Sequence, residues 1–173
     1  PISLLHEVLS PKGFNASQIR DIYRSLSSSQ SGKRFFSTEW EVLRDREYLW
    51  IQKKDSIQLI PGLIIEEIER TPSFVIPRDK HIACLDADKL NHPLTIRKWE
   101  RGDKFIPLGM NGKKKVSDYL TDKKYSLFQK ENQYVVCSGE DIVWLVNERT
   151  DHRYRITDST QRILLIKIKK DGQ

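Results

Sequence analysis

No apolar run in this chain is longer than a β-strand. The longest are stretches such as Leu63-Ile64-Ile65 and Ile163-Leu164-Leu165-Ile166, far short of the roughly 18 consecutive apolar residues that read as a membrane span. Short runs bury themselves by pairing sideways into sheets, and 173 residues with 38% hydrophobic content supply the core for one full-sized domain or two small ones. The expected class is α+β: a small helix-plus-hairpin module followed by a β-rich domain, a mixed sheet or sandwich with one helix. The first module is expected over 1–72, a linker over 73–80 and the β-rich domain over 81–173.

The N-terminal pattern is helical. Ile2, Leu5, Val8 and Leu9 share one side of a short helix that Pro11-Lys12-Gly13 ends. Asn15, with Gln18 three positions on, has the spacing of a capping box, and Ile19, Ile22, Tyr23 and Leu26 continue at helical period. The Ser-rich segment 27–32 reads as a loop. Strands follow at 34–36, 39–43 and 48–51, with a hairpin turn over Arg44-Asp45-Arg46-Glu47. Further strands are expected at 57–60 and 63–68, with Pro61-Gly62 as the turn between them. Beyond His81 the pattern predicts strands at 82–85, 94–98, 134–137, 142–146, 154–157 and 163–168. A helix over about 113–122 has Val116, Tyr119 and Leu120 as its apolar face.

Charge is not spread evenly over these elements. Residues 89–130 carry eleven Lys and Arg against four Asp and Glu, a local +7, whereas 1–88 carry −1 and 131–173 are neutral. Such a concentration is the footprint of a polyanion partner. Its centre pairs a cluster of Arg97, Lys98, Arg101 and Lys104 with the run Lys113-Lys114-Lys115, expected to open the helix after glycines at 109 and 112. Helix starts expose N–H groups and glycine permits close approach, so the segment is suited to phosphate. A solvated helix face is the plain alternative. A weaker basic set comprises Arg149, Arg153 and Arg155, where Glu148 and Asp151 also allow surface ion pairs. Lys33-Arg34 are either phosphate contacts or solvated turn residues. Asp103 reads as a turn cap. Trp99 and Phe105 either stack on bases or pack in the core; Trp40, Trp50 and Trp144 read as core or inter-module contacts.

Familiar catalytic motifs are missing: no GxxxxGK[ST], no GxGxxG and no HExxH involving His6, His81, His92 or His152. Glu66, Glu67 and Glu69 read as an exposed strand edge, not a metal site. Cys84 and Cys137 stand 53 residues apart in apolar contexts, as buried free thiols of a reducing compartment do, so a cytoplasmic location is expected. No membrane segment or signal peptide is expected. The chain starts at Pro1 without Met, which suggests a piece of a longer protein.

The segment Arg97 to Lys124, RKWERGDKFIPLGMNGKKKVSDYLTDKK, closely resembles the signature of the C-terminal domain of bacterial tRNA(Ile)-lysidine synthetases. The likeness continues through Ser138-Gly139, Ile142-Val143-Trp144, Glu148-Arg149 and Asp151. The upstream module is similar to the same family at Gly13-Phe14-Asn15, at Ser31-Gly32-Lys33-Arg34-Phe35 and at Leu43-Arg44-Asp45-Arg46. The resemblance implies two C-terminal modules that bind tRNA, the last directed at the acceptor stem and similar to a domain of the phenylalanyl-tRNA synthetase β subunit. It implies an enzyme that uses ATP to attach lysine to the wobble cytidine of the CAU-anticodon tRNA(Ile), so that the anticodon reads AUA instead of AUG. ATP, with Mg, would be used by an N-terminal domain marked Ser-Gly-Gly-x-Asp-Ser, a motif this chain lacks, and no cofactor is expected here. The implied partners are that tRNA and the enzyme's own N-terminal catalytic domain, with a homodimer open. A pure docking module for that catalytic domain is the rival expectation.

Overall fold

The computed structural model describes residues 2–54 and 60–169. They fall into two compact units. One holds 2–54 together with Ser126–Phe128, and the other holds the rest.

In the first unit, helix α1 (Ile2–Leu9) passes through a 3-10 turn at Ser10–Lys12 into α2 (Ala16–Leu26). The reversal uses Gly13 in the left-handed region at φ 80°, where a side chain would be strained. Asn15 and Gln18 form the reciprocal capping box, each at 2.9 Å. The helices pack Leu9, Ile19 and Ile22 against Val42 of an antiparallel sheet of β1 (Lys33–Phe36), β2 (Trp40–Asp45) and β3 (Tyr48–Lys53). The hairpin turn is tighter than the sequence suggests. Arg44 and Asp45 still pair, leaving Arg46-Glu47 as the turn with Arg46 at φ 53°. The Ser-rich loop is tied down, because Arg44 donates to the carbonyls of Ser28 and Gln30 at 2.8 and 2.9 Å.

The second unit contains β4 (Leu63–Glu69), β5 (Ala83–Asp86), β6 (Leu94–Lys98), β7 (Lys104–Phe105), β8 (Lys114–Lys115) and α3 (Val116–Asp122). After α4 (Leu127–Glu131) come β9 (Tyr134–Ser138), β10 (Asp141–Leu145), β11 (Arg149–Thr150) and β12 (Arg162–Ile168). The strands form a four-stranded sheet β11-β10-β9-β6, a three-stranded sheet β4-β12-β5 and the ribbon β7-β8. Every pairing of named strands is antiparallel.

The four-stranded sheet is the middle layer. Val136, Val143 and Trp144 meet Leu85, Leu164 and Ile166 of the three-stranded sheet. On its other side Val135, Cys137, Ile142 and Leu145 meet Phe105 of the ribbon and Val116, Tyr119 and Leu120 of α3. Strict alternation would put Trp144 on the same side as Ile142. A register shift between those two residues sends both Val143 and Trp144 into the first core.

Four expectations change. All seven residues of β4 pair with β12, so this strand, assigned to the first module by its place before Pro72, belongs to the second unit. The segment 73–80 therefore lies inside that unit and does not divide the chain. Proline and glycine mark where a chain turns, not which sheet the next strand joins. Tyr154–Thr157 is not a strand. Asp151 caps a 3-10 turn at His152–Tyr154 by accepting from the Arg153 N–H. The helix expected from Lys113 starts only at Val116, and Lys114-Lys115 are a strand. The strand expected at 57–60 lies largely outside the described residues. No described helix is long and apolar enough to cross a membrane.

Candidate nucleic-acid interface

The basic segment folds as a ribbon with two unlike faces. Lys104 stands directly opposite Lys115, and Phe105 opposite Lys114. Alternation sends the Phe105–Lys114 pair inward and the Lys104–Lys115 pair out. Phe105 is completely buried, 5.4 Å from the Tyr119 ring. Lys114 is drawn onto the protein, with its ammonium 5.9 Å from the Tyr119 ring centre and paired with Asp122. Lys104 and Lys115 are exposed. Two like charges directly across a strand pair repel each other.

The ribbon's base is held by Asp103. Its carboxylate takes both Arg97 guanidinium nitrogens at 2.8 and 3.0 Å and the Glu100 N–H at 2.8 Å, closing the turn through Gly102 at φ 100°. Burial pushes the Asp103 carboxyl upward, but the Arg97 hydrogen bond, the Glu100 N–H and the Arg97 charge outweigh it and hold the group below its ordinary value. Asp103 is thus the turn cap its position suggests, and Arg97 is its structural partner. Val116 closes the other side by donating to the Asp103 carbonyl at 2.9 Å.

The expected site residues separate accordingly. Arg97 and Lys114 are committed to carboxylates. Arg153 is committed too: it reaches the fully buried Asp151 at 3.0 Å and Asp141 at 3.0 Å. Asp151 also accepts the Ile106 N–H at 2.9 Å, so the three-residue knot fixes where the ribbon leaves β7. Lys98 is exposed with its ammonium 3.5 Å from the Asn132 side-chain oxygen. Arg149 is exposed and donates to the Leu108 carbonyl at 3.3 Å. Arg155 donates to the His152 carbonyl at 2.8 Å.

Arg101, Lys104, Lys113 and Lys115 remain. All four are exposed, and none makes a side-chain hydrogen bond or ion pair with the described residues; Lys113 contributes only a longer-range charge at Asp141. Lys113 lies two residues before Lys115 along the same extended stretch, and Arg101 sits in the turn that leads into Lys104. The structure thus gathers four uncommitted cations onto one small ribbon and its flanking turns.

Packing rules out stacking by Phe105, which is fully buried, and ties down Trp99. Trp99 is half-buried against the Phe105 cluster and donates to the Lys130 carbonyl. Arg34, in the first unit, pairs with the buried Glu41. Cys84 and Cys137 are free thiols, and burial pushes Cys84 up to about 11, far from a reactive thiolate. Among the described residues no group of three or more His, Cys, Asp or Glu is arranged to hold a metal ion. Sequence reasoning missed Glu148 as a node: its carboxylate takes the Tyr125 and Tyr119 hydroxyls and lies 3.8 Å from Lys80. These partners are scattered along the chain and carry no local signal.

Comparison with known proteins matches this chain to one family. A family model described as the TilS substrate binding domain matches residues 1–54. The tRNA(Ile)-lysidine synthase of Bacteroides thetaiotaomicron is 54% identical over 97% of the chain, and that of Parabacteroides distasonis is 44% identical over 96%. The chain belongs to the tRNA(Ile)-lysidine synthase family. It spans about 40% of the length of these relatives. The crystal structure of a TilS C-terminal domain overlays 66% of the chain and 87% of its own length at a TM-score of 0.55 and 18% identity, which supports the fold. A phenylalanyl-tRNA synthetase β-subunit fragment from Pyrococcus horikoshii overlays 50% of the chain at a TM-score of 0.45, too loosely for inference.

Proposed function

We propose that these residues are the C-terminal, tRNA-recognising region of a tRNA(Ile)-lysidine synthase, and that the β7–β8 ribbon grips the phosphate backbone of duplex RNA on the acceptor-stem side. The carrying observation is the exposed Lys104–Lys115 pair, flanked by Lys113 and Arg101, none of which makes a side-chain hydrogen bond or ion pair with the described residues. The repulsion of these lysines is relieved when a phosphate sits between them. Duplex RNA offers phosphates and 2′-hydroxyls across a shallow minor groove, so a rigid ribbon reads its shape better than its sequence. The full-length enzyme would use ATP to attach lysine to the wobble cytidine of the CAU-anticodon tRNA(Ile). ATP and its Mg would be handled by residues outside this chain.

Titration of the chain against that tRNA at several salt concentrations tests the reading. Lys104→Ala with Lys115→Ala should weaken binding about tenfold at low salt. The log–log salt slope should flatten by about 0.7–0.9 for each phosphate that the variant no longer neutralises. Unchanged affinity and slope in the folded double variant would exclude the ribbon. Binding to a separately expressed catalytic domain, with no RNA binding, would point to docking instead.

A further inference from the structure

The loop that joins β7 to β8 does more than connect them. The Leu108 N–H donates to the Thr150 carbonyl at 2.9 Å, and the Leu108 carbonyl accepts from Arg149. The loop is thereby fastened to β11 and forms one wall of a cleft in the second unit. The segment 76–82 forms the facing wall, and the cleft encloses about 370 Å³. A neighbouring depression of about 510 Å³ shares Lys80, Glu148 and Arg149 with it and continues past Tyr119 and Tyr125. Either volume is within the range of pockets that hold small ligands.

The lining is of two kinds. Ile76, Pro77 and Leu108 present apolar surface, with Ile76 and Leu108 about half exposed. Around them stand Arg78, Lys80 and Arg149, with Asp79 between the first two in the chain, so that cations outnumber the rim carboxylate three to one. Arg78 is exposed and makes no hydrogen bond or ion pair with the described residues. Between the two depressions lies Glu148, whose side chain is only 9% exposed. Each of its oxygens already accepts one tyrosine hydroxyl. A carboxylate oxygen accepts more than one bond, so each retains capacity toward the cleft. Lys80, at 3.8 Å and 59% exposed, is too loosely placed to fill it.

We propose that this cleft receives one unpaired nucleotide of the RNA, with its base against Ile76, Pro77 and Leu108, its N–H edge on Glu148, and its phosphate on Arg78 and Arg149. Apolar lining, a buried acceptor-only group and rim cations at one place match the three parts of a nucleotide. A duplex is too wide for the cleft, which restricts it to an unstacked base. Guanine suits Glu148 best, because its Watson–Crick edge carries two adjacent N–H donors for the two carboxylate oxygens. The inference rests on the RNA reading of the ribbon, which shares the 106–113 loop with the cleft.

The test compares two RNA hairpins with the same stem, one blunt and one ending in a short unpaired tail of guanines. The tail is expected to tighten binding by the 173-residue chain about tenfold, within the range for one engaged base. Arg78→Ala should remove that advantage while leaving the blunt stem's affinity unchanged. Glu148→Gln should cost the guanine tail its lead over an adenine tail, a change of preference that a merely structural role would not produce. Equal affinity for both hairpins, or a tail advantage that survives both substitutions, overturns the inference alone. Failure to bind either hairpin overturns the RNA reading with it, since the blunt stem reports on the ribbon independently.

Discussion

Arg97 and Lys104 are seven residues apart, carry the same charge and lie in the same basic segment, yet they do opposite work. Arg97 is bound in two hydrogen bonds to Asp103 and holds a turn. Lys104 faces Lys115 across a ribbon and holds nothing. The same contrast separates Arg153, locked on Asp151, from Lys113. A cation with a buried carboxylate to neutralise is a structural element. A cation facing another cation is an uncompensated surface charge.

The largest effect should come from breaking the structural side. Arg153→Ala leaves Asp151, which is fully buried, with backbone donors and no counter-charge. Removing one partner of a buried pair costs about 3–5 kcal/mol, and the one-third exposure of Arg153 lowers that to about 2–3 kcal/mol. Urea unfolding followed by circular dichroism should show the loss, while RNA affinity of the folded fraction changes little. Lys104→Ala with Lys115→Ala should do the reverse, costing about tenfold in RNA binding with an unchanged unfolding midpoint.

A pH series sharpens the contrast. Asp103 is held below its ordinary value, so its pairing stabilises the fold above the unfolded carboxyl value of 3.8 and is lost as pH falls through the lower folded value. Stability should therefore drop below about pH 4, and Asp103→Asn should remove that part of the acid dependence by lowering stability at neutral pH. A midpoint that falls with acid equally in both proteins would detach Asp103 from the effect. The smallest expected change is the most discriminating. Lys104→Glu converts the like-charge pair into an ion pair and should raise stability by a few tenths of a kcal/mol, yet weaken RNA binding more than the alanine does. Stabilisation with undiminished binding would break the division drawn here.

Much of the local architecture is legible in the chain. The Asn15–Gln18 capping box, the α2 stripe and most strands stand where their patterns put them, because each depends on neighbours a few residues away. The concentration of charge in 89–130 is equally a property of the sequence. Misreadings arose where a distant partner decides. β4 joined β12 because a matching strand about a hundred residues on completes its hydrogen bonds. The lysine run became a strand because Phe105 and Lys104 are there to pair with it.

What the sequence by itself determined is therefore the supply: α+β composition, capped helices, short strands and a basic segment placed between glycine turns. What only the tertiary structure decided is the allocation. Asp103, Asp122, Asp141 and Asp151 neutralise Arg97, Lys114 and Arg153 and leave Arg101, Lys104, Lys113 and Lys115 uncommitted. Coulomb attraction acts within a few ångströms of a carboxylate, and only folding sets which charges come that close.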